Sequence, residues 1–583
     1  MRRDSDVVTD LIKKRGDPNA VGIAEWTPLH YSIANMENFD GEDGSQETIE
    51  ALLSGGADKN MRGRDGLGPL HCAAKKGSVD LIRMLVQRGA NVKIQDNSQK
   101  TPLHWAAYGG YEEVVRLIVV NFRADKDSRD DGGPTALHGA ACGGHEADIK
   151  LLVKLNADKN AHNGICQTAL HGAAYGGHKE VVKLLAKLDV DMKACDNNGE
   201  TALHVAAYRG HHEVVQLLVE LGIDKEARDN GGETALHYAA SGGHDGVIRM
   251  LLKELGANMN VSDNDGETAL HRAARKAVVR QLVTEFMADK NAPNNDNCTA
   301  LHHAADSGHE VVVQLLLGEL KADRDARDKD GWMAQHYAAN AGHEGVVRLL
   351  VVDLKADKDA FDYERWTVLR YAASSGHEGV VRLLVVDLKA NKEARDKDGQ
   401  TALHLAAQEG HDAIVRLVAD FKANKEAHDK DGWTAVHFAA EAGHETVVQL
   451  LAELGSDKDA RDNDGQKALH LAALDGHESA IQMLATLGAD IEARTNKGQT
   501  RHHLAASSRH KSLIRVLAEL GVDMDARDSD GQVAIHLAAE EGHDAVVRLL
   551  VADSRPTKIS LTITAGMYCT TQPTQDTKKS FGC

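Results

Sequence analysis

One segment, Thr201 to Gly222, is written again and again along this chain. Its Thr-x-Leu-His anchor, whole or degraded, ends at His30, His71, His104, His138, His171, His204, His237, His271, His302, His336, Arg370, His404, His437, His470, His503 and His536. These sixteen copies stand almost always 33 or 34 residues apart. A fixed period of that size dictates a stack of one supersecondary unit and excludes a set of independent globular domains. Function must then lie in what varies between copies, because what repeats is scaffold.

Local chemistry sets the fold of one copy. Thr201 is a good helix N-cap, its hydroxyl able to accept from an orphan amide of the first turn. Where Pro follows Thr, as at Pro28 and Pro102, it takes the first helical position, where a missing N–H costs nothing. The spacing predicts a short helix through Leu203, Ala206 and Ala207, whose alanines let a neighbouring helix come close. Gly210 ends it. A second helix from His211 gathers Val214, Val215, Leu217, Leu218 and Leu221 on one face, and Gly222 stops it. The Asp/Asn/Gly-rich return from Ile223 to Glu233 reads as a turn or short hairpin. So small a unit cannot bury its apolar face alone, so stability comes from stacking.

The pattern Asp-x-x-Gly-x-Thr-x-Leu-His-x-Ala-Ala-x-x-Gly-His-x-x-Val-Val-x-x-Leu-Leu, matched almost position by position from Asp396 to Leu417, closely resembles the ankyrin repeat motif. The resemblance covers roughly residues 6–553. It implies an all-α solenoid of about 16 helix–turn–helix units. Hairpin fingers would project to one side, and fingers and first helices would form a concave face. The array is expected over residues 21–553, after a half-unit or cap at 1–20 and before a non-repeat, disordered tail at 554–583 that is rich in Thr, Ser and Lys.

Four places break the pattern. An acidic insert near Glu37 to Asp43 stretches the first spacing to 41, and the loss of the Gly-His turn between Ala274 and Val279 cuts another to 31, where a kink or weak point is expected. Arg370 replaces an anchor histidine, and Arg365 replaces the finger glycine before it. Arg501-His502-His503 replaces Ala-Leu-His, with Arg509 in place of the turn glycine. These last two units are expected to be less stable than their neighbours.

The formal net charge is −20, which argues against a nucleic-acid or anionic-membrane surface and favours basic or mixed-charge protein partners. No apolar run approaches membrane-spanning length. Seven cysteines without CxxC spacing fit reduced thiols, and hence a cytoplasmic or nuclear protein. The array is expected to be monomeric.

Thirty-two histidines invite a metal reading. Equivalent rings in successive units stand about 10 Å apart, too far for one zinc. No His-Glu-x-x-His, phosphate loop or nucleophile elbow occurs, so neither metal nor cofactor is expected and the chain reads as non-catalytic. Finger runs such as Lys321 to Asp330 lack the calcium-loop spacing.

Aromatics are scarce, at 4%, so their placement carries information. Trp26, Trp332, Trp366 and Trp433 stand just before the anchoring Thr or its substitute Met333. Tyr108, Tyr175 and Tyr208 follow Ala-Ala at the open end of the first helix, and Tyr363 lies in a finger. The resemblance makes these variable surface positions used for partner contact, and Trp and Tyr are what interface anchors are made of. The competing reading is that each Trp packs along its own finger. Tyr31, Tyr238, Tyr337 and Tyr371, one place after the anchor, are taken to fill space between units. The preferred function is a protein-interaction scaffold. The alternative is the sensor or regulatory part of a larger switch protein, because long arrays resembling this one are often fused to NTPase, kinase or channel domains.

Overall fold

The computed structural model describes residues 16–22, 25–34, 45–274, 278–508, 510–519, 523 and 525–553. Most of the 1–20 half-unit, the acidic insert, Arg509 and the 554–583 tail lie outside them. The chain divides into two units, residues 1–363 and 364–583. In the first, successive first helices pack side by side, as Pro102–Gly109, Ala136–Gly143, Ala169–Gly176 and Ala202–Arg209 do. In the second, the same ladder runs from Val368–Ser374 to Ala534–Glu540.

The Thr-x-Leu-His anchor explains why the stack holds register. The Thr201 N–H donates to His204 Nδ1 at 3.0 Å. An amide only donates, so Nδ1 accepts and the ring proton sits on Nε2. Nε2 then donates to the Ala227 and Glu233 carbonyls of the following finger, at 3.0 and 3.2 Å. The Thr201 hydroxyl also lies 3.0 Å from Nδ1 and caps no amide. The expected N-cap bond is therefore replaced by a threonine–imidazole contact. In the second unit His404 repeats the device, between Thr401 N at 2.9 Å and Ala427 O at 2.9 Å.

The turn histidines make a second ladder. Gly210 closes the first helix at φ 79°, a left-handed value that favours glycine, and a Cβ there would also strike the His244 ring. That ring donates from Nε2 to Tyr208 O at 2.7 Å. The second helix, His212–Glu220, buries Val214, Val215, Leu217 and Leu218. Leu221, expected on that face, is exposed, because it sits at the C-cap where the chain turns away.

Spacing and helix geometry match. The 34-residue spacings start at His104, His237, His302, His336 and Arg370. The second helices of those repeats end in π-helical turns at Leu117–Asn121, Met250–Glu254, Leu315–Glu319, Leu349–Asp353 and Leu383–Asp387. A π turn takes up the one extra residue without disturbing the finger.

Among the described residues no named strand forms. Fingers close through backbone bonds such as Asp229 N to Glu233 O at 3.0 Å, with isolated bridges at Cys195–Thr201 and Ser262–Thr268. In the 31-residue unit the two helices shrink to Ala269–Ala273 and Val279–Thr284; residues 275–277 between them lie outside the described set. Arg370 is fully buried, donates to Asp396 Oδ2 of the next finger at 2.6 Å and lies 4.6 Å from the Trp366 ring centre, so an ion pair replaces the anchor bond. Arg501 and His502 are also fully buried, and their side-chain nitrogens make no hydrogen bond among the described residues.

Candidate functional site

Burial keeps the anchor histidines out of acid–base chemistry. It lowers His204 below the ordinary imidazole range and pushes His138 and His336 down to about 4, so these rings are neutral donors and acceptors at pH 7. Burial raises the thiols of Cys142 and Cys298 and pushes Cys72 up to about 12, the opposite of an activated nucleophile. Among the described residues no group of three or more His, Cys, Asp or Glu is placed to hold a metal ion, and no helix is long and apolar enough to cross a membrane.

The tryptophans before the anchors are half-buried against aromatics of their own repeats. Trp26 meets Tyr31 at 5.4 Å, Trp332 meets Tyr337 at 5.0 Å, Trp366 meets Tyr371 at 5.0 Å and Trp433 meets Phe438 at 5.2 Å between ring centres. Tyr108, Tyr175, Tyr208 and Tyr363 are exposed over about half their surface. Of the eight, Tyr108 and Tyr175 line one cavity, with a volume of about 600 Å³. Tyr208 instead packs on Tyr238 at 6.3 Å.

That cavity exists because of two glycines. The position after the anchor histidine carries Trp105, Gly139, Gly172 and Val205 in four successive repeats. Elsewhere it holds Cys72, Arg272, His303 or a Tyr, Leu or Phe. Gly139 and Gly172 therefore leave two side chains missing in a row. Trp105 and Tyr108 stand on one side, Tyr175 and Val205 on the other, and Cys142 in the lining between.

Neither glycine is demanded by the backbone. Both lie inside helices, away from the left-handed region. A Cβ on Gly139 would meet its nearest atom at 3.6 Å, and one on Gly172 at 3.4 Å, ordinary contact distances. Glycine inside a helix costs about 0.5–1 kcal/mol relative to alanine. The recess is thus held open at a cost to stability.

A carboxylate at its edge, Asp130, lacks the partner that four of its counterparts have. In four repeats the finger Asp Oδ2 accepts from the side chain nine residues on: Trp105 to Asp96 at 3.0 Å, Tyr238 to Asp229 at 2.8 Å, Arg272 to Asp263 at 2.8 Å and Tyr337 to Asp328 at 2.6 Å. Asp196 takes its bond from Gln167 of the preceding finger, at 3.2 Å. For Asp130 the residue nine on is Gly139, and the preceding finger offers Lys100, which lies over the Trp105 ring at 5.5 Å and makes no ion pair with it. Asp130 Oδ1 accepts from Gly132 N at 3.1 Å, while Oδ2 has no partner among the described residues. Burial raises the pKa of this carboxyl.

Trp105, Asp130, Gly139 and Gly172 were not legible as a site from aromatic spacing before the anchors. The readable signal was two consecutive glycines at a helix-interior register that otherwise carries a side chain. A family model described as Ankyrin repeats (3 copies) matches residues 1–96, 41–130, 119–194, 170–263, 252–328, 312–396, 386–462, 424–495 and 469–562. No curated protein matches the chain.

Proposed function

Because the chain belongs to the ankyrin repeat family, we propose that it is a non-catalytic protein–protein interaction scaffold whose partners dock on the face made by fingers and first helices. Ankyrin repeats are in general protein-interaction modules, so the partner class follows from the family, while the docking face rests on the residues. The observation that carries it is the pair of helix-interior glycines, which give up stability to keep an aromatic-walled recess open on that face. Tyr108, Tyr175 and Tyr208 add half-exposed rings in the same register, and large rigid aromatics are the usual anchors of a protein interface. Trp26, Trp332, Tyr363, Trp366 and Trp433 extend the candidate contact set within their own units. The acidic balance directs the chain to proteins and away from nucleic acid, and it acts as a monomeric array in the cytoplasm.

The test places a photoreactive phenylalanine at Tyr175 and, separately, at Lys183 on the second helix of the same repeat. Crosslinks from position 175 that saturate and are competed by unlabelled chain, with none from 183, support the docking face. Crosslinks from 183 alone would move the interface to the second helices, and no saturable crosslink from either position would leave a mechanical spacer.

A further inference from the structure

We infer that the Gly139–Gly172 recess receives a tyrosine or tryptophan side chain from a partner polypeptide, which donates its O–H or N–H to Asp130 Oδ2 and so supplies the group that Gly139 omits. The inference rests on the scaffold reading and adds the chemistry of the occupant.

The chain itself shows what fits. Where the position after the anchor is Trp105, Tyr238 or Tyr337, an aromatic body fills the space between neighbouring first helices and its polar tip closes on the finger carboxylate nine residues before. The Gly139 repeat keeps the carboxylate and loses both body and tip. Repeats with Leu405 or Phe438 lose the donor but keep the bulk, so they offer no room. A volume of about 600 Å³ lies within the usual range of a ligand pocket.

Charge chooses between the donors. Arg272 shows that a guanidinium can also satisfy such a carboxylate. In this recess, however, the aromatic walls already carry cations. Lys75 and Lys100 lie 5.0 and 5.5 Å from the Trp105 ring centre, and Arg209 lies 4.4 Å from that of Tyr175. An incoming arginine would meet like charge on both sides, whereas a neutral phenol or indole meets none. Its ring also adds apolar area against Trp105 and Tyr175, and its donor ends the exposure of a half-buried oxygen.

The experiment selects random peptides displayed on phage against the full chain, then measures each selected peptide by calorimetry against wild type, Gly139→Tyr and Asp130→Ala. Gly139→Tyr fills the recess and meets Asp130 from within; Asp130→Ala keeps the recess open and removes the acceptor. Circular dichroism melts confirm that both variants fold. The inference expects peptides that share a Tyr or Trp, lose roughly tenfold or more in affinity when it becomes Phe, lose binding to Gly139→Tyr, and bind Asp130→Ala no better than their Phe versions bind wild type. Peptides that tolerate Phe, that carry arginine in place of the aromatic, or that bind Gly139→Tyr unchanged would overturn it. If those peptides map elsewhere on the fingers and first helices, the scaffold reading survives; if no peptide binds the chain, both readings fall.

Discussion

Replacing Gly139 and Gly172 with alanine separates a glycine needed for structure from one kept for an opening. The new methyl groups would sit at 3.6 and 3.4 Å from their nearest neighbours, close enough for contact and far enough to avoid a clash. Helix propensity favours alanine by about 0.8–1 kcal/mol at each interior site, and the added contact has the same sign. The two sites lie on packed helices and are not independent, so the double variant should gain about 1–2 kcal/mol in all. In a repeat stack stability is local, and one global melting temperature would blur the effect. The assay is native-state amide exchange in Ala136–Gly143 and Ala169–Gly176. A gain of about 1 kcal/mol slows exchange roughly fivefold there, with little change in the repeats of the second unit. Faster exchange in either helix would show that the glycines serve packing, and the reasoning that the recess is held open against stability would fail.

Three further outcomes follow from other places in the chain. Asp148 occupies a position that is Val181 and Val214 in the next repeats; its carboxyl is fully buried without a hydrogen bond, and burial, helped by Glu112, pushes its pKa up to about 7. A raised carboxyl pKa makes the folded state hold the extra proton, so stability falls as pH rises from about 4 to 7; Asp148→Val should remove that slope and add about 1–3 kcal/mol at pH 7, read by urea melts at pH 5 and 8, and an unchanged slope would contradict it. Burial pushes Arg501 down to about 10 and His502 to about 3, so Arg501→Ala with His502→Leu should stabilise the last repeats by about 2–4 kcal/mol, seen as slower exchange in Arg501–Ser507; faster exchange there would refute it. Trp366→Ala with Trp433→Ala should leave helicity intact and weaken capture of a crosslinked partner, and unchanged capture would confine the contact to other aromatics.

The scaffold was legible because its determinants are local. Thr201, His204, Gly210 and the Val-Val-x-Leu-Leu face each act within a few residues or on the adjacent copy, and the period repeats the lesson sixteen times. Even the difference between 33 and 34 residues had a structural meaning, the π turn Leu117–Asn121 and its equivalents. The site was harder to read. Half-exposed Tyr108 and Tyr175 were visible as variable aromatics, but what joins them is an absence at Gly139 and Gly172 and a carboxylate at Asp130 whose usual donor is missing. That pairing spans nine residues and shows itself only when Asp96, Asp229, Asp263 and Asp328 are seen with their partners. The tryptophans before the anchors carried a sequence signal that fits interface and finger packing equally, and their contacts with Tyr31, Tyr337, Tyr371 and Phe438 account for part of it.

Deuterium exchange of the full chain, with and without a peptide selected on it, bears most directly on the claim that this protein works by contact across its fingers and first helices. The account predicts slowed exchange in Pro102–Gly109, Ala136–Gly143, Ala169–Gly176 and the fingers between them, with Glu146–Lys154 and Lys179–Lys187 unchanged. Protection confined to those second helices would contradict it.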